Sequence, residues 1–142
     1  MKVKDLMTSR VIRIDPMESA AVAARTLAHY NIGALPVCDF RGNLEGIVTD
    51  RDLVTRCLAA GRDPAKTRVR ELMTMGVVSV SPDTEITAAA AKMGHEQVRR
   101  LPVVENGQLC GMVSLGDLAE CEDAAQSAGD ALTEISDNMI RR

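Results

Sequence analysis

Two short stretches hold the residues best suited to chemistry: Thr49-Asp50-Arg51-Asp52 and Ser114-Leu115-Gly116-Asp117. In each, a hydroxyl stands three residues before a carboxylate. One carboxylate accepts hydrogen bonds from two vicinal hydroxyls, and such charge-assisted bonds are stronger than neutral ones. The hydroxyl residue offers a further contact to a sugar or phosphate. The same spacing has a plainer use, because Ser, Thr and Asp cap helix N-termini whether or not a ligand is near. Arg99 and Arg100 precede Leu101-Pro102-Val103. A planar guanidinium suits phosphate; a solvated basic pair is the alternative reading. No nucleophile, base and orienting group recur together, and no P-loop glycine pattern is present, so catalysis is not expected. His29 and His95 lie near predicted helix C-termini, where an imidazolium opposes the helix dipole, and are read as caps rather than metal ligands. Cys38, Cys57, Cys110 and Cys121 show neither C-x-x-C pairing nor zinc-finger spacing. Most are read as small core residues, and no metal site is expected.

The two stretches belong to an internal repeat. VKDLMTSRVIRIDP from Val3 aligns with VRELMTMGVVSVSP from Val69 at an offset of 66, and the same offset carries His29 onto His95 and Leu35-Pro36-Val37 onto Leu101-Pro102-Val103. One residue is then lost at a predicted hairpin loop, after which GNLEGIVTDRDL from Gly42 aligns with GQLCGMVSLGDL from Gly107 at an offset of 65. Hairpin loops tolerate such length changes. Eighteen positions are identical. The expected organisation is repeat 1 over 1–60, a linker over 61–68 marked by Gly, Asp-Pro and charge, and repeat 2 over 69–142.

Each repeat must position its hydroxyl and carboxylate with the same elements. A helical turn (Lys4 to Met7; Arg70 to Met73) leads to a strand rich in β-branched residues (Val11 to Ile14; Val77 to Val80). Pro16 and Pro82 stand where a helix would begin. Ala20, Ala23, Ala24 and Leu27, like Ile86, Ala89, Ala90 and Met93, recur at the helical period and predict a core-facing stripe. Two strands follow, Ala34 to Cys38 with Leu44 to Thr49, and Leu101 to Glu105 with Leu109 to Ser114. A second helix starts at the hydroxyl-carboxylate stretch. The order β-α-β-β-α, twice, predicts an α/β (α+β) fold with two repeats packed as a pseudo-twofold pair, since one alone leaves an apolar sheet face uncovered. Beyond Leu118, Ala128, Leu132, Ile135 and Met139 predict a closing amphipathic helix with a break near Gly129. The methionines are expected mostly in the core.

With 142 residues, 46% hydrophobic and 26% charged, the chain can bury a core without disulfide or metal staples. Its longest apolar runs are far shorter than the roughly 20 residues of a membrane span. No secretory h-region opens it, so a cytoplasmic protein is expected, not bound to membranes. Residues 1–66 carry ten Lys/Arg and eight Asp/Glu, residues 67–142 seven and twelve. Without a basic cluster or aromatic stacking platforms, direct nucleic-acid binding is not expected.

The doubled pattern resembles a tandem pair of cystathionine beta-synthase (CBS) domains, a Bateman module, in particular the small stand-alone two-repeat proteins of bacteria. The resemblance rests on LMT before the first strand, the L-P-V strand, and GIVTDRD (Gly46 to Asp52) with GMVSLGD (Gly111 to Asp117), and covers nearly the whole chain. It implies a non-catalytic regulatory module whose inter-repeat clefts bind an adenosine-containing ligand (AMP, ADP, ATP or S-adenosylmethionine). It also implies a disc-like homodimer that reports to a partner enzyme or transporter, with no cofactor. Asp117 and Asp52 match the family's ribose-binding position, with Thr49 and Ser114 beside them and helix N-termini favouring phosphate. Arg100 matches an arginine that contacts phosphate in the gamma subunit of AMP-activated protein kinase. Repeat 1 has Gly33 and Ala34 at the positions of Arg99 and Arg100, so the sites should be unequal. Family geometry groups Asp117, Ser114 and Arg100 with Gly33, Ala34, Val11 and Ile12. It groups Asp52 and Thr49 with Val77 and Val78, with Arg99 or Arg100 crowding them and Arg51 a substitute phosphate contact. A ligand-independent dimerisation and docking scaffold is the alternative function.

Overall fold

The apolar runs on either side of the two turns pair as antiparallel hairpins. In the computed structural model, which describes residues 1–122 and 124–141 (138–141 by backbone alone), β1 (Ala34–Cys38) pairs with β2 (Leu44–Thr49) and β3 (Arg100–Glu105) with β4 (Gln108–Ser114). The registers are equivalent: Leu35 faces Val48 as Leu101 faces Val113, and each ladder is bulged after the L-P-V valine. Buried Leu35, Val37 and Val48 in one hairpin, and Leu101, Val103 and Val113 in the other, turn towards their helices.

The strands expected at Val11 to Ile14 and Val77 to Val80 shrink to single parallel bridges, Ile14 to Val37 and Val80 to Val103. Proline explains the limit. Ile14 N–H donates to the Pro36 carbonyl (3.0 Å) and Cys38 N–H to the Ile14 carbonyl (3.0 Å). Extending the ladder backwards would need an N–H from Pro36, and extending it forwards one from Pro16. Neither exists. Pro102 and Pro82 impose the same limits on Val80.

Helix α1 (Ala20–Tyr30) starts four residues after Pro16, capped by Ser19, whose Oγ accepts from Val22 N–H (3.2 Å). Its counterpart α3 (Ile86–Glu96) starts four residues after Pro82. Both end on a left-handed residue, Asn31 and Gln97, with His29 and His95 in the last turns. Ala20, Ala23 and Leu27 are buried as expected, but Ala24 is exposed; all four residues of the α3 stripe are buried. After β2 the chain forms α2 (Asp50–Asp52), which runs into a π-helical turn over Leu53–Leu58. After β4 it forms α4 (Leu115–Ala119) and then α5 (Ala125–Arg141). The break expected near Gly129 is absent. Gly costs about 1 kcal/mol in a helix, and Ala128, Ala131 and Ile135, all buried beside it, offset that locally. The side chain of Met139 lies outside the described residues.

The compact units are not the repeats. Unit 1 comprises Met1–Val11 and Val78–Arg142, and unit 2 comprises Ile12–Val77. Each is completed by the leading segment of the other repeat. In unit 1, Val3 N–H donates to the Thr84 carbonyl (2.8 Å), and Thr8 exchanges backbone bonds with Met112 (2.8 and 3.0 Å). In unit 2, Val69 N–H donates to the Glu18 carbonyl (2.8 Å), and Thr74 exchanges bonds with Ile47 (2.9 and 3.0 Å). Glycine permits both approaches: a Cβ on Gly46 would lie 2.6 Å from the Thr74 oxygen, and one on Gly111 2.6 Å from Met7 Sδ and 3.0 Å from the Thr8 oxygen.

Among the described methionine side chains only Met93 is fully buried; Met7 and Met73 pack against the two cores from partly buried positions. Met1, Met17 and Met75 are exposed, which corrects the expectation of a mostly core set. Met75 falls in the turn before Gly76, whose φ is +67°, away from any helical stripe. Among the described residues no helix is long and apolar enough to cross a membrane.

Candidate functional site

The carboxylate of each T/S-x-x-D stretch folds back on its own helix start. In unit 2, Thr49 Oγ1 accepts from Asp52 N–H (3.1 Å) and Asp52 Oδ2 accepts from Thr49 N–H (3.0 Å). In unit 1, Ser114 Oγ accepts from Asp117 N–H (3.1 Å) and Asp117 Oδ2 accepts from Ser114 N–H (3.0 Å). These are reciprocal capping boxes. The plainer use of the motif is therefore realised twice, and it occupies one carboxylate oxygen in each copy.

The second oxygen separates the copies. Asp52 is only 9% exposed, and its Oδ1 lies 3.8 Å from Nε of Arg56, one helical turn on. Arg56 is itself held by the Leu72 carbonyl, to which its Nη1 donates (2.9 Å). Its role went unread in the sequence, although the i, i+4 spacing from Asp52 is a signal for an ion pair. In unit 1 the corresponding residue is Cys121, whose Sγ donates to Met1 Sδ (3.4 Å). Among the described residues, Asp117 Oδ1 has no hydrogen-bond or ion-pair partner. Asp117 borders a concavity of about 320 Å³ that is also lined by Leu6, Glu120 and Cys121.

Strand pairing sets what stands beside each box. Arg100 is the register partner of Ser114, and Leu115 N–H donates to the Arg99 carbonyl (2.8 Å). Both arginines are exposed, and among the described residues neither side chain has a partner. Ala34 is the register partner of Thr49, and Asp50 N–H donates to the Gly33 carbonyl (3.0 Å). A Cβ on Gly33 would meet the Asp50 carboxylate at 3.5 Å, so Asp50 stands where unit 1 has Leu115. Arg51 is exposed on the first turn of α2.

Unit 1 thus brings together Asp117, Ser114, Arg100 and Arg99, and also contains Val11 and Val78. Unit 2 brings together Asp52, Thr49, Gly33, Ala34 and Arg51, and also contains Ile12 and Val77. All four valine and isoleucine residues are partly buried, with Ile12 and Val78 packed on the cores of their own units.

Two of the four thiols are held in the less reactive protonated form. Burial pushes the Cys38 thiol up, and it pushes Cys110 up with help from Glu105; a raised thiol is less reactive at neutral pH. All four cysteines are unpaired in disulfide terms, with Cys38 and Cys57 buried. Among the described residues, no group of three His, Cys, Asp or Glu is placed to hold a metal ion.

A duplicated capping box, each on a bulged L-P-V hairpin, is matched twice by one family model, that of the CBS domain, over residues 3–59 and 69–124. The chain belongs to the CBS-domain family. The CBS domain-containing protein YhcV of Bacillus subtilis is 42% identical over 138 residues, spanning 97% of both chains. Among solved CBS-domain structures, the CBS domain pair of protein MJ0100, crystallised with 5′-methylthioadenosine and S-adenosyl-L-methionine, superposes with a TM-score of 0.73 at 30% identity. It covers 84% of this chain and 94% of that one. CBSX2 in complex with AMP gives 0.75 at 30% identity, over 88% and 96%. Hypoxic Response Protein I, with two coordinated zinc ions, gives 0.78 at 34%, over 84% and 98%.

Proposed function

We propose that this CBS-domain protein is a non-catalytic regulatory module that binds an adenosine-containing ligand, AMP, ADP, ATP or S-adenosylmethionine, and passes its bound state to a partner enzyme or transporter in the cytoplasm. The observation that carries the reading is Asp117 at the rim of an open concavity, its second oxygen without a partner among the described residues. A capping box preorganises that carboxylate, so little rotamer freedom remains to be lost when a sugar diol binds. Ser114 and Arg100 stand beside it on adjacent strand ends, placing a hydroxyl and a guanidinium together for ribose and phosphate. Similarity to two CBS pairs crystallised with adenosyl compounds supports the ligand class. The Asp52 copy is the weaker site, because Arg56 faces its remaining oxygen.

The test is thermal shift with AMP, ATP and S-adenosylmethionine on the intact protein and on Asp117→Asn, which retains a capping oxygen but loses the charge. One of these ligands should stabilise the protein by about 2.7 kcal/mol at a hundredfold excess over Kd, with the gain lost in the variant. A flat response to all three at millimolar concentration overturns the reading.

A second reading, a homodimer that acts as a docking scaffold, is favoured by one observation: exposed Val54 and Leu58 on unit 2. We hold the homodimer to be the assembled form under either reading.

A further inference from the structure

The two capping boxes have the same bond lengths, 3.1 and 3.0 Å, and the copies diverge four residues after each carboxylate. In unit 2 the chain passes from α2 directly into the π-helical turn, where Ala59 N–H donates to the Val54 carbonyl five residues back (2.8 Å). Such turns are rare and are frequent at functional sites. The unbroken helical path sets Arg56 beside Asp52, since residues four apart are neighbours on a helix surface. In unit 1, α4 ends at Ala119, short of Cys121. The residue equivalent to Arg56 therefore lies off the helix, and its thiol turns to Met1.

Arg56 acts as a clasp on the unit 2 copy. Its Nε stands 3.8 Å from Asp52 Oδ1, and its Nη1 donates to the carbonyls of Leu72 (2.9 Å) and Met73 (3.5 Å). Leu72 and Met73 belong to the leading segment of repeat 2, so one guanidinium ties the carboxylate to that segment. The Asp52 side chain is nearly buried, whereas that of Arg56 is half exposed. A carboxylate so withdrawn from water needs a compensating charge beside it. A sugar diol brings neutral donors and no such charge. To bind, it would have to displace Arg56 and strip the Leu72 carbonyl of that donor. Asp117 demands no such exchange, because its second oxygen has no partner among the described residues and the residue borders an open concavity.

We propose that Arg56 closes the Asp52 copy, so that the protein takes one adenosine-containing ligand per chain, at Asp117, although both copies of the motif are intact. The inference rests on the ligand-binding reading above and assigns its stoichiometry. Arg56 works through Asp52 and is a positioning residue.

Isothermal titration calorimetry of the full chain with AMP, ATP and S-adenosylmethionine in turn tests it. The wild-type protein should bind one ligand per chain, and Asp117→Asn none. Arg56→Cys, which installs the residue of the other repeat, should raise the count to two. Combined with Asp117→Asn it should restore one, a gain of binding that loosened packing does not produce. Arg56→Gln keeps much of the side-chain stem and should show the same gain; it decides the matter if circular dichroism finds the cysteine variant unfolded. Two ligands on the wild-type chain, or no gain in the folded Arg56 variants, overturns the inference and leaves the ligand-binding reading standing. Two on the wild type and one on Arg56→Cys would make Arg56 a ligand contact, contrary to the proposal. If none of the three ligands binds any of these proteins at millimolar concentration, the ligand-binding reading fails and the inference falls with it.

Discussion

Units 1 and 2 share one plan down to the bulge after the L-P-V valine, and they diverge wherever α5 or its absence is felt. Leu118 in unit 1 is wholly buried, whereas its repeat partner Leu53 in unit 2 is half-buried. Gly94 is buried under α5, whereas its partner Ala28 faces solvent. Among the described residues Asp117 keeps an oxygen without a partner, whereas Asp52 has Arg56 beside its second oxygen. Duplication supplies the scaffold twice, and a few substitutions with one added helix turn two equal halves into a more open polar site and a bare apolar face.

The largest effect expected from that difference lies at the paired leucines. Leu118→Ala should cost about 2–5 kcal/mol, the range for a fully buried leucine that leaves a cavity. Leu53→Ala should cost roughly half as much or less, because only part of that side chain leaves water on folding. Urea unfolding of both variants decides it. Equal losses at the two sites would mean that α5 adds little to the packing of α4.

Much of this asymmetry could not be read from the repeat. The hairpins emerge at the expected residues because apolar runs and turn chemistry are local properties. The capping boxes were likewise legible, since hydroxyl and carboxylate three residues apart are sufficient to form them. The Val11 to Ile14 and Val77 to Val80 strands were overread: β-branched composition favours extended chain, but the ladder needs N–H donors, and prolines on both strands withhold them. The exchange of leading segments between units was invisible, because nothing in Val3 to Thr8 says which hairpin it will flank. At the candidate site, strand register sets Arg100 beside Ser114, and each carboxylate bonds to the hydroxyl residue of its own stretch. Arg56 was missed because the repeat alignment ended at Leu53, just before the residue that makes the copies unequal.

A smaller effect of opposite sign tests the same roof at Gly94 and Ala28. Alanine is the better helix former by about 1 kcal/mol, so propensity alone predicts that Gly94→Ala stabilises. A Cβ there would lie 2.8 Å from the Glu134 carboxylate and 3.0 Å from Ala131 Cα. Glu134 can swing away, but the α5 backbone has to shift, at about 1–3 kcal/mol for overpacking. Gly94→Ala should therefore destabilise, while Ala28→Gly should cost only the propensity difference. Thermal melts that find Gly94→Ala neutral or stabilising would mean that α5 yields freely and is a loosely seated roof.

The smallest difference lies at the hairpin tips, and it is one of acid sensitivity. The β3–β4 turn is Asn106-Gly107, both with positive φ, and contains no titrating group. The β1–β2 loop instead folds around Asp39. The Asn43 N–H above all, then the Asn43 amide and the Arg41 N–H, hold its carboxyl below the usual aspartate value. A depressed folded value means that the carboxylate favours the folded loop above the unfolded value of about 3.9. That contribution is lost as the pH falls through the lower, folded value. Being exposed, the group contributes little to global stability, so the readout is local. In an NMR titration the Arg41 and Asn43 amide resonances should move together, with a midpoint below the ordinary aspartate range, and Asp39→Asn should abolish that transition. Asn106 and Gly107 should not share it. If the Arg41 and Asn43 amides titrate at the ordinary value instead, the carboxylate is not what closes the longer loop, and the two tips differ in length alone.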